Sequence, residues 1–547
     1  MTDDLSVRYA DLLSGSYDCA DRIVLNAFFP FGCSPGGFRS WWRALHGGSD
    51  EHLDDTRLMR MAARFGRRVR AWGQSAGVPV IYCKPGERKH LIAEEYLATH
   101  QAGTGVFLVL VARAMAPVWK VKRSASGVIT GLERKVELVN HYSFHIMDPE
   151  WGHVTIKMAG HPPFGAQVIL NGHEYVACAA ARLGVGFAKE GNCFTSVTDT
   201  QALARIADTL SEAGTIGRLA RVCQRWIYSS CLCFALDSSE QQASGFRYSY
   251  SVYQVEYSRN LLFRSGAVMD QVFSRIIDRT RSRIDVPVLK TLFGAKRRPH
   301  RDRKDGPPRL AAVIETPVYD LTVLKLHFGK LTLKAYTKGE HVLRFEAIVH
   351  NTSELRTGRV LDRFCQILTT LAGMLERFLT VCDCVHAAFI SDQTLDQLPQ
   401  PGYLGATRLG GIDINRPRAR AALSAALALA ACPAGFTAAG FTAKVQAITG
   451  DAGYTARQAA YDIRKLRAKN LITREGRSRR YHVPADAART IAGIVILRDQ
   501  VIVPCLAGIR APGTGCPPAS PDTTDQHYQK LRSQMRELLH DRGLTAA

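Results

Sequence analysis

The sequence has no apolar run long enough to cross a bilayer. Its most apolar stretches, residues 106–111 and 421–431, fall short of the ~20 residues that a membrane helix needs. The chain begins with MTDD and lacks the basic and apolar segments of a signal peptide. We therefore expect a cytoplasmic protein without a membrane partner.

Cysteine pairs of the zinc-knuckle type are also missing. The 14 cysteines are dispersed, and the closest pairs, Cys231/Cys233 and Cys382/Cys384, are separated by one residue rather than two. Dispersed cysteines in a chain of 547 residues are typical of reduced thiols in a cytosol. No P-loop, nucleophile elbow, zincin or kinase motif occurs, so the common catalytic signatures are absent.

Acidic residues are scarce relative to basic ones. The chain has 49 Asp+Glu against 71 Lys+Arg, a net charge of +22. Its 46% apolar residues are enough for buried cores and exclude a disordered chain. Six basic residues and one acidic residue lie in 296–304, and nine basic and two acidic residues lie in 455–480. Such concentrated positive charge favours a nucleic-acid partner.

The most specific pattern lies in the C-terminal third. Helices are predicted at 416–432, 437–449 and 456–470, followed by short strands at 471–474 and 480–483 around a basic turn. A Thr hydroxyl can accept from the free N–H groups of a first helical turn, so Thr455 is expected to cap the third helix. The expected buried stripe of that helix is Ala459, Ala460, Ile463 and Leu466.

Helix, helix, basic helix and basic hairpin is the winged helix-turn-helix pattern. Residues 455–466 and the hairpin after them resemble the MarR and ArsR groups of bacterial regulators. The resemblance implies that the third helix enters the major groove of DNA, where Arg and Lys reach base edges or phosphates. A winged helix can also serve as a protein-docking module, and that alternative stays open.

Basic residues in three places are the predicted nucleic-acid contacts. They are Lys296, Arg297, Arg298, Arg301 and Arg303 in a linker, Arg457, Arg464 and Lys465 on the third helix, and Arg477, Arg479 and Arg480 on the hairpin. Apolar helices predicted at 485–509 and 526–540 would either form a homodimer or pack on the same chain. Aromatic and basic residues interleave through 246–283, so RNA is the alternative partner to DNA.

A second group of candidate residues lies in the N-terminal half. Strand alternation in 140–148 places His141, Ser143 and His145 on one face, and His153 begins the next strand, where it is expected across from His145. Imidazole and carboxylate groups suit a divalent metal, Mg²⁺ or Mn²⁺. The predicted ligands are His141, His145, Asp148, His153 and Glu174.

A metal beside a tyrosine on a helix is typical of covalent strand nicking. The predicted catalytic residues are His141, His145, His153 and Tyr175, with the Tyr175 phenolate as nucleophile. A strand with spaced histidines followed by a helix with tyrosine resembles the HUH endonucleases of rolling-circle replication, although three residues rather than one separate His141 and His145. Histidines on a strand are also often plain core or surface residues, so that alternative stays open.

A shorter resemblance lies near residue 340. The sequences YTKG at 336–339 and LRFE at 343–346, with LR at 355–356, resemble a stretch of filamentous-phage gene II-type replication proteins. Alternation alone also explains this stretch as a charged hairpin, and that interpretation is the favoured one.

Together these patterns predict an α+β multidomain protein, with a mixed or antiparallel N-terminal sheet, a central hairpin-plus-helix domain and a C-terminal winged helix. The predicted segments are an α+β nucleic-acid-processing domain at 1–215, a helical Tyr- and Arg-rich region at 216–295, a basic linker at 296–310, the hairpin-plus-helix domain at 311–397, a linker at 398–415, the winged helix at 416–484 and C-terminal helices at 485–547.

The leading functional hypothesis is a nucleic-acid-processing protein of a mobile element or plasmid. It would nick or initiate replication with a divalent metal and recognise DNA through the winged helix. The alternative is a non-enzymatic transcriptional regulator or RNA-binding nucleoprotein component.

Overall fold

The fold was obtained as a computed structural model. It describes residues 7–100, 103–283, 310–318, 321–328, 330–355, 357–386, 396–432, 435–476 and 478–498, together with six residues between 526 and 534. The predicted linker contacts Lys296, Arg297, Arg298, Arg301 and Arg303, and Arg477 of the hairpin, lie outside the described residues.

Helices and strands alternate irregularly along the chain. The helices are α1 (Pro35–Leu45), α2 (Asp55–Ala76), α3 (Lys89–Thr99), α4 (Gly172–Arg182), α5 (Thr200–Asp208), α6 (Gly214–Ser230), α7 (Ser238–Ala243), α8 (Gly266–Arg283), α9 (Phe364–His386), α10 (Pro417–Ala430), α11 (Ala438–Thr449), α12 (Ala456–Ala468) and α13 (Ala485–Ile496). The strands are β1 (Leu13–Phe28), β2 (Val80–Tyr82), β3 (Gly105–Arg123), β4 (Ile129–Asp148), β5 (Gly152–Ala159), β6 (Ala166–Asn171), β7 (Phe187–Lys189), β8 (Phe194–Val197), β9 (Ser249–Phe263), β10 (Leu310–Val318), β11 (Leu321–Phe328), β12 (Leu331–Lys338), β13 (Val342–Val349), β14 (Gly402–Leu404), β15 (Thr407–Leu409), β16 (Thr473–Arg474) and β17 (Tyr481–His482).

Eleven strands form one sheet, in the order β10-β11-β12-β13-β9-β1-β6-β5-β4-β3-β2. Neighbouring strands are antiparallel except β2 and β3, which are parallel. This large mixed sheet with its helices confirms the α+β class. It takes strands from the predicted segments 1–215, 216–295 and 311–397.

Strand β9 lies at the centre of the sheet, inside a segment predicted to be helical. Residues 249–263 alternate aromatic or β-branched side chains with polar ones, which suits a half-buried strand. The strand pairs with β1 on one side and β13 on the other, so tertiary pairing decides its conformation.

One face of the sheet carries the main core. Leu25, Val168, Ile156 and Phe144 pair in a row across β1, β6, β5 and β4, and none of them is exposed. On this side Phe65 of α2 packs 4.5 Å from the Tyr142 ring, and α9 contacts β9 and β13. The apolar residues at helical spacing in α2 therefore bury against the sheet.

The opposite face is covered only at its ends. Helix α3 packs on Phe107, Leu108 and Leu110 of β3 through Ala93. Further along the sheet, Tyr17 of β1 contacts His173 of α4 and Phe194 of β8. Between these ends, most outward side chains of β5, β6 and β1 are half-buried or exposed, whereas Val24 of β1 is buried.

In the C-terminal part, α10, α11 and α12 precede the paired strands β16 and β17. The predicted cap of α12 is confirmed, because Thr455 and Gln458 bond reciprocally in a capping box. The predicted buried stripe is wrong at one position. Ala460 is exposed, whereas Asp462 is buried because Arg418 and Tyr454 bond to its carboxylate.

Helix α13 packs against α9 and α10 of the same chain, which buries its apolar face. Helix α13 thus packs within the chain, and the homodimer stays a prediction. Most of the second predicted tail helix, 526–540, lies outside the described residues.

Candidate functional site

The partly covered side of the sheet is its polar face, which we define by one row of paired residues. His145 of β4, Thr155 of β5, Ile169 of β6, Val24 of β1 and Gln254 of β9 are successive partners across the strands. Residues opposite each other in an antiparallel pair point to the same side. The predicted histidine strand and the centre of the sheet therefore share this face.

A buried ionic cluster lies on the polar face where β13, β9 and β1 meet, and we call it the Arg344 cluster. The Arg344 guanidinium is fully buried, and its Nη2 donates to Asp21 of β1. Its Nε lies 2.9 Å from Glu346 Oε1, and its Nη1 donates to the Asn192 carbonyl oxygen at 2.6 Å. One buried cation is thus held between two carboxylates, the arrangement that compensates its desolvation.

A second ring of polar groups completes the cluster. The Asn192 amide donates to both Asp21 oxygens at 2.6 and 2.8 Å, and Tyr336 Oη donates to Glu346 at 2.6 Å. His173 Nδ1 lies 3.3 Å from Asp21. Burial alone would raise the pKa of Asp21, but the Arg344 charge and then His173 hold it well below its ordinary value. Asp21 is therefore ionised inside the protein.

The position of His173 depends on the glycine before it. Gly172 begins α4 against β1, and a Cβ atom there would lie 1.8 Å from the Ala20 carbonyl oxygen. Only glycine permits this approach of helix to strand. Burial lowers the pKa of His173, so the ring beside Asp21 is neutral.

Glu256 is the accessible carboxyl group of the Arg344 cluster. A β-bulge between Ala20 and Ile23 places Asp21 and Arg22 opposite it on β1. Glu256 is half-buried and accepts from Gln254 Nε2 at 2.9 Å. Burial first, then the charges of Asp21 and Glu346, raise the pKa of Glu256 to about 7. A carboxyl group that is partly protonated near neutral pH can act as a general acid or base.

Of the predicted metal ligands, the structure brings together His145 and His153. Nδ1 of His145 lies 3.0 Å from Nε2 of His153. The predicted register is wrong by two residues, because His145 pairs with Thr155 and His153 with Met147, so the rings meet diagonally. Burial, then His153, lower the pKa of His145 to about 3, and burial, then Lys157 and Lys89, lower that of His141 to about 4. These rings are neutral.

The predicted carboxylate ligands are engaged elsewhere. Asp148 follows the alternation of β4 onto the core side, where Arg225 Nη1 and Trp226 Nε1 donate to it at 2.6 and 2.7 Å. Glu174 is paired with Lys189. Across the described ranges, no three His, Cys, Asp or Glu side chains are placed to hold a metal.

Tyr175, the predicted nucleophile, lies in the core. It is 6% exposed, its ring lies 4.9 Å from that of Trp151, and the Arg218 guanidinium lies 5.8 Å above it. A tyrosine so enclosed has no open approach for a phosphate. In this structure Tyr175 is therefore a packing residue rather than an accessible nucleophile.

The predicted DNA-reading helix has an outward basic face. Arg457, Tyr461 and Arg464 are exposed on α12, and Lys465 Nζ lies 5.9 Å from the centre of the Tyr461 ring. Asp462 is the only acidic residue of α12, and its carboxylate is turned inward onto Arg418 at 2.9 Å. No residue of α12 itself therefore places a carboxylate on its outward side.

The hairpin after α12 adds further positive charge. Arg479 is exposed and Arg480 half-buried, next to strand β17. The backbone N–H of Phe436 donates to Tyr481 at 2.9 Å, which attaches the hairpin to the chain before α11. The hairpin and α12 therefore belong to one packed unit.

No protein-family model, curated protein or solved structure matches this chain. No helix in the described ranges is both long and apolar enough to span a membrane. Function therefore has to be inferred from the chemistry of the residues themselves.

Sequence reasoning missed most of the Arg344 cluster. Arg344 and Glu346 lie in the LRFE segment and Tyr336 in the YTKG segment, so the two segments noted in the sequence form one hairpin of the cluster. Asp21, Asn192 and Glu256 had no local signal, because each is an isolated polar residue. Asp21 and Glu256 are brought to the cluster by the register of β1, β9 and β13, and Asn192 by the connection between β7 and β8.

Proposed function

We propose that this chain binds DNA, and that residues 417–482 act as a winged helix whose α12 enters the major groove. The observation that carries the proposal is the outward face of α12, which presents Arg457, Arg464 and Lys465 with no exposed carboxylate among them. A helix of this kind fits the major groove of B-DNA. The basic hairpin that follows would contact phosphate or the minor groove.

Replacing Arg464 and Lys465 together with alanine should weaken duplex binding. Both side chains lie on the outward face of α12, where each contributes a base or phosphate contact. The dissociation constant should rise about tenfold or more, and the dependence of log K on log salt should lose about one to two units of slope. Fluorescence anisotropy with labelled duplex at several salt concentrations measures both quantities.

The matched control is Arg182→Ala with Arg205→Ala, which removes two exposed positive charges from α4 and α5. It should leave the slope nearly unchanged. Equal losses in the two double variants would mean that net charge, not α12, controls binding. Retention of RNA but not duplex DNA by the native chain would favour the RNA-binding nucleoprotein alternative.

Strand processing, as in a replication initiator of a mobile element or plasmid, is the second candidate function. The observation that favours it is Glu256, a half-buried carboxyl group on the polar face with a pKa of about 7. In phosphodiester hydrolysis such a group can take a proton from the attacking water or give one to the leaving oxygen. His145 and His153 lie four strand spacings, about 19 Å or more, from Glu256, so a metal held by the two histidines would not share its reaction centre.

Labelled single-stranded and duplex DNA and RNA, incubated with and without Mn²⁺, test this candidate. If Glu256 carries the proton transfer, Glu256→Gln should slow cleavage by about 10²–10⁴-fold while binding persists. Products are resolved on denaturing gels, and a protein–nucleic-acid adduct would indicate a covalent step. Retention without cleavage or adduct would instead support a non-enzymatic regulator.

A further inference from the structure

A lysine without a counter-charge lies on the polar face, away from the Arg344 cluster. Lys157 of β5 pairs with Ser143 of β4 and Gln167 of β6, and its side chain is half-buried. Burial lowers the pKa of Lys157, and the positive charge of Lys89 at the start of α3 lowers it further. No carboxylate of the described ranges forms an ion pair with it.

A half-buried lysine without a counter-charge destabilises the folded protein when no ligand is bound. Burial removes water from an ammonium group, and a second positive charge nearby raises the cost further. Lys120 of β3, a half-buried lysine two strands away, shows the usual solution, since it lies 3.1 Å from Glu137 and 3.6 Å from Asp55. Lys157 has no such compensation from the described residues, and a bound anion would supply it.

Uncharged polar groups surround the same position. Ser143 is 8% exposed beside Lys157, and Nε2 of His141 is buried with no hydrogen-bond partner in the described part of the chain. The Gln167 amide donates to Asn26 at 3.0 Å, which fixes it at the edge of the patch. Two ammonium groups, a hydroxyl and an imidazole offer several donors to one polyoxygen anion.

We propose that Lys157 and Lys89, together with Ser143 and His141, form a binding site for a phosphate group. The polar face extends from this site to the exposed Arg22 of β1, two strand spacings across the sheet and four residues along β1, or about 16 Å away. A further cation on the same open surface suits the neighbouring phosphates of a nucleic-acid strand, while a free phosphate would use the Lys157 site without Arg22. The site is separate from α12 and does not rest on DNA recognition there.

Thermal unfolding of the full chain tests the site with two probes, inorganic phosphate and a thymidine oligonucleotide, each against chloride of equal ionic strength. A ligand that binds the folded state raises the unfolding midpoint. Lys157→Met should keep or raise the midpoint without ligand, since it removes a half-buried charge, and should weaken the apparent affinity for the active probe about tenfold or more. Lys89→Ser, at the helix start, should weaken it in the same way.

Lys120→Met is the matched control, and it should lower the midpoint but leave the probe dependence intact, because it breaks a satisfied ion pair. Stabilisation by phosphate that is lost in Lys157→Met assigns a free-phosphate site. Stabilisation by the oligonucleotide only, again lost in Lys157→Met, assigns a strand-binding site. The proposal is overturned if neither probe raises the unfolding midpoint. It is also overturned if the rise with probe is the same in Lys157→Met and Lys89→Ser as in the native protein. The Arg464→Ala/Lys465→Ala variant should retain the phosphate response, which separates this result from failure of the α12 proposal.

Discussion

Replacing Asp21 with alanine should lower the free energy of unfolding by about 3–5 kcal/mol. The substitution removes the carboxylate that binds Arg344 and Asn192, and it leaves a fully buried guanidinium with Glu346 as its remaining carboxylate partner. A buried ion that loses its partner keeps its desolvation cost but not the compensating attraction. Urea denaturation followed by circular dichroism measures the change.

Asp18→Ala is the matched control, since Asp18 lies three residues earlier on the same strand and is also bonded to an arginine. Its partner Arg259 donates through Nε and Nη2 at 2.8 Å each, but Asp18 is 20% and Arg259 15% exposed. Such a pair keeps some contact with water, so the expected loss is smaller, about 1–2 kcal/mol. Similar losses in the two variants would show that the Arg344 cluster contributes no more than a partly solvated ion pair.

The same cluster sets a pH dependence. The pKa of Asp21 is well below its ordinary value in the folded state, so its contribution is present above the ordinary carboxyl pKa and is lost as pH falls through the folded value. Below about pH 4, protonation of Asp21 should therefore lower the free energy of unfolding of the native protein. The Asp21→Ala variant lacks this carboxyl group and should not show that part of the decrease.

The C-terminal unit could be predicted closely because its signals are local. Thr455 and Gln458 cap α12 within one turn, and apolar spacing marks the helix, so the predicted 456–470 and the observed Ala456–Ala468 begin at the same residue. The error at Ala460 came from Asp462, whose burial depends on Arg418 in another helix. Periodicity alone does not reveal a carboxylate neutralised from outside its own helix.

The sheet could be predicted only in part, because its register is non-local. Alternation correctly placed His141, Ser143 and His145 on one face, since that property belongs to a single strand. It did not reveal that Asp21 meets Arg344, which is 323 residues away in the sequence. A one-residue bulge in β1 then sets which side chain faces Glu256, and no residue pattern marks that bulge.

Glu256→Gln should stabilise the protein at alkaline pH. The folded-state pKa of Glu256 is raised to about 7, because burial and the charges of Asp21 and Glu346 disfavour its ionised form. An acid with a raised folded pKa contributes fully below its unfolded pKa, and that contribution is lost as pH rises through the folded value. Glutamine resembles the protonated carboxyl group and carries no such loss.

The native protein and the variant should therefore have similar free energies of unfolding near pH 4.5 and diverge as pH rises to 8. The variant should then be more stable by about 1–3 kcal/mol, allowing for the partial exposure of Glu256. The buried His141 and His145, with lowered pKa values, act in the opposite direction, because they favour unfolding as pH falls below about 6.5. Both proteins share these histidines, so the difference between their urea-derived stabilities isolates Glu256.

A difference that stays constant from pH 4.5 to 8 would mean that Glu256 ionises normally, and it would also remove the support for proton transfer at the Arg344 cluster. A growing difference, together with loss of any strand cleavage in the same variant, would identify a carboxyl group kept at a cost to stability because the chemistry needs it.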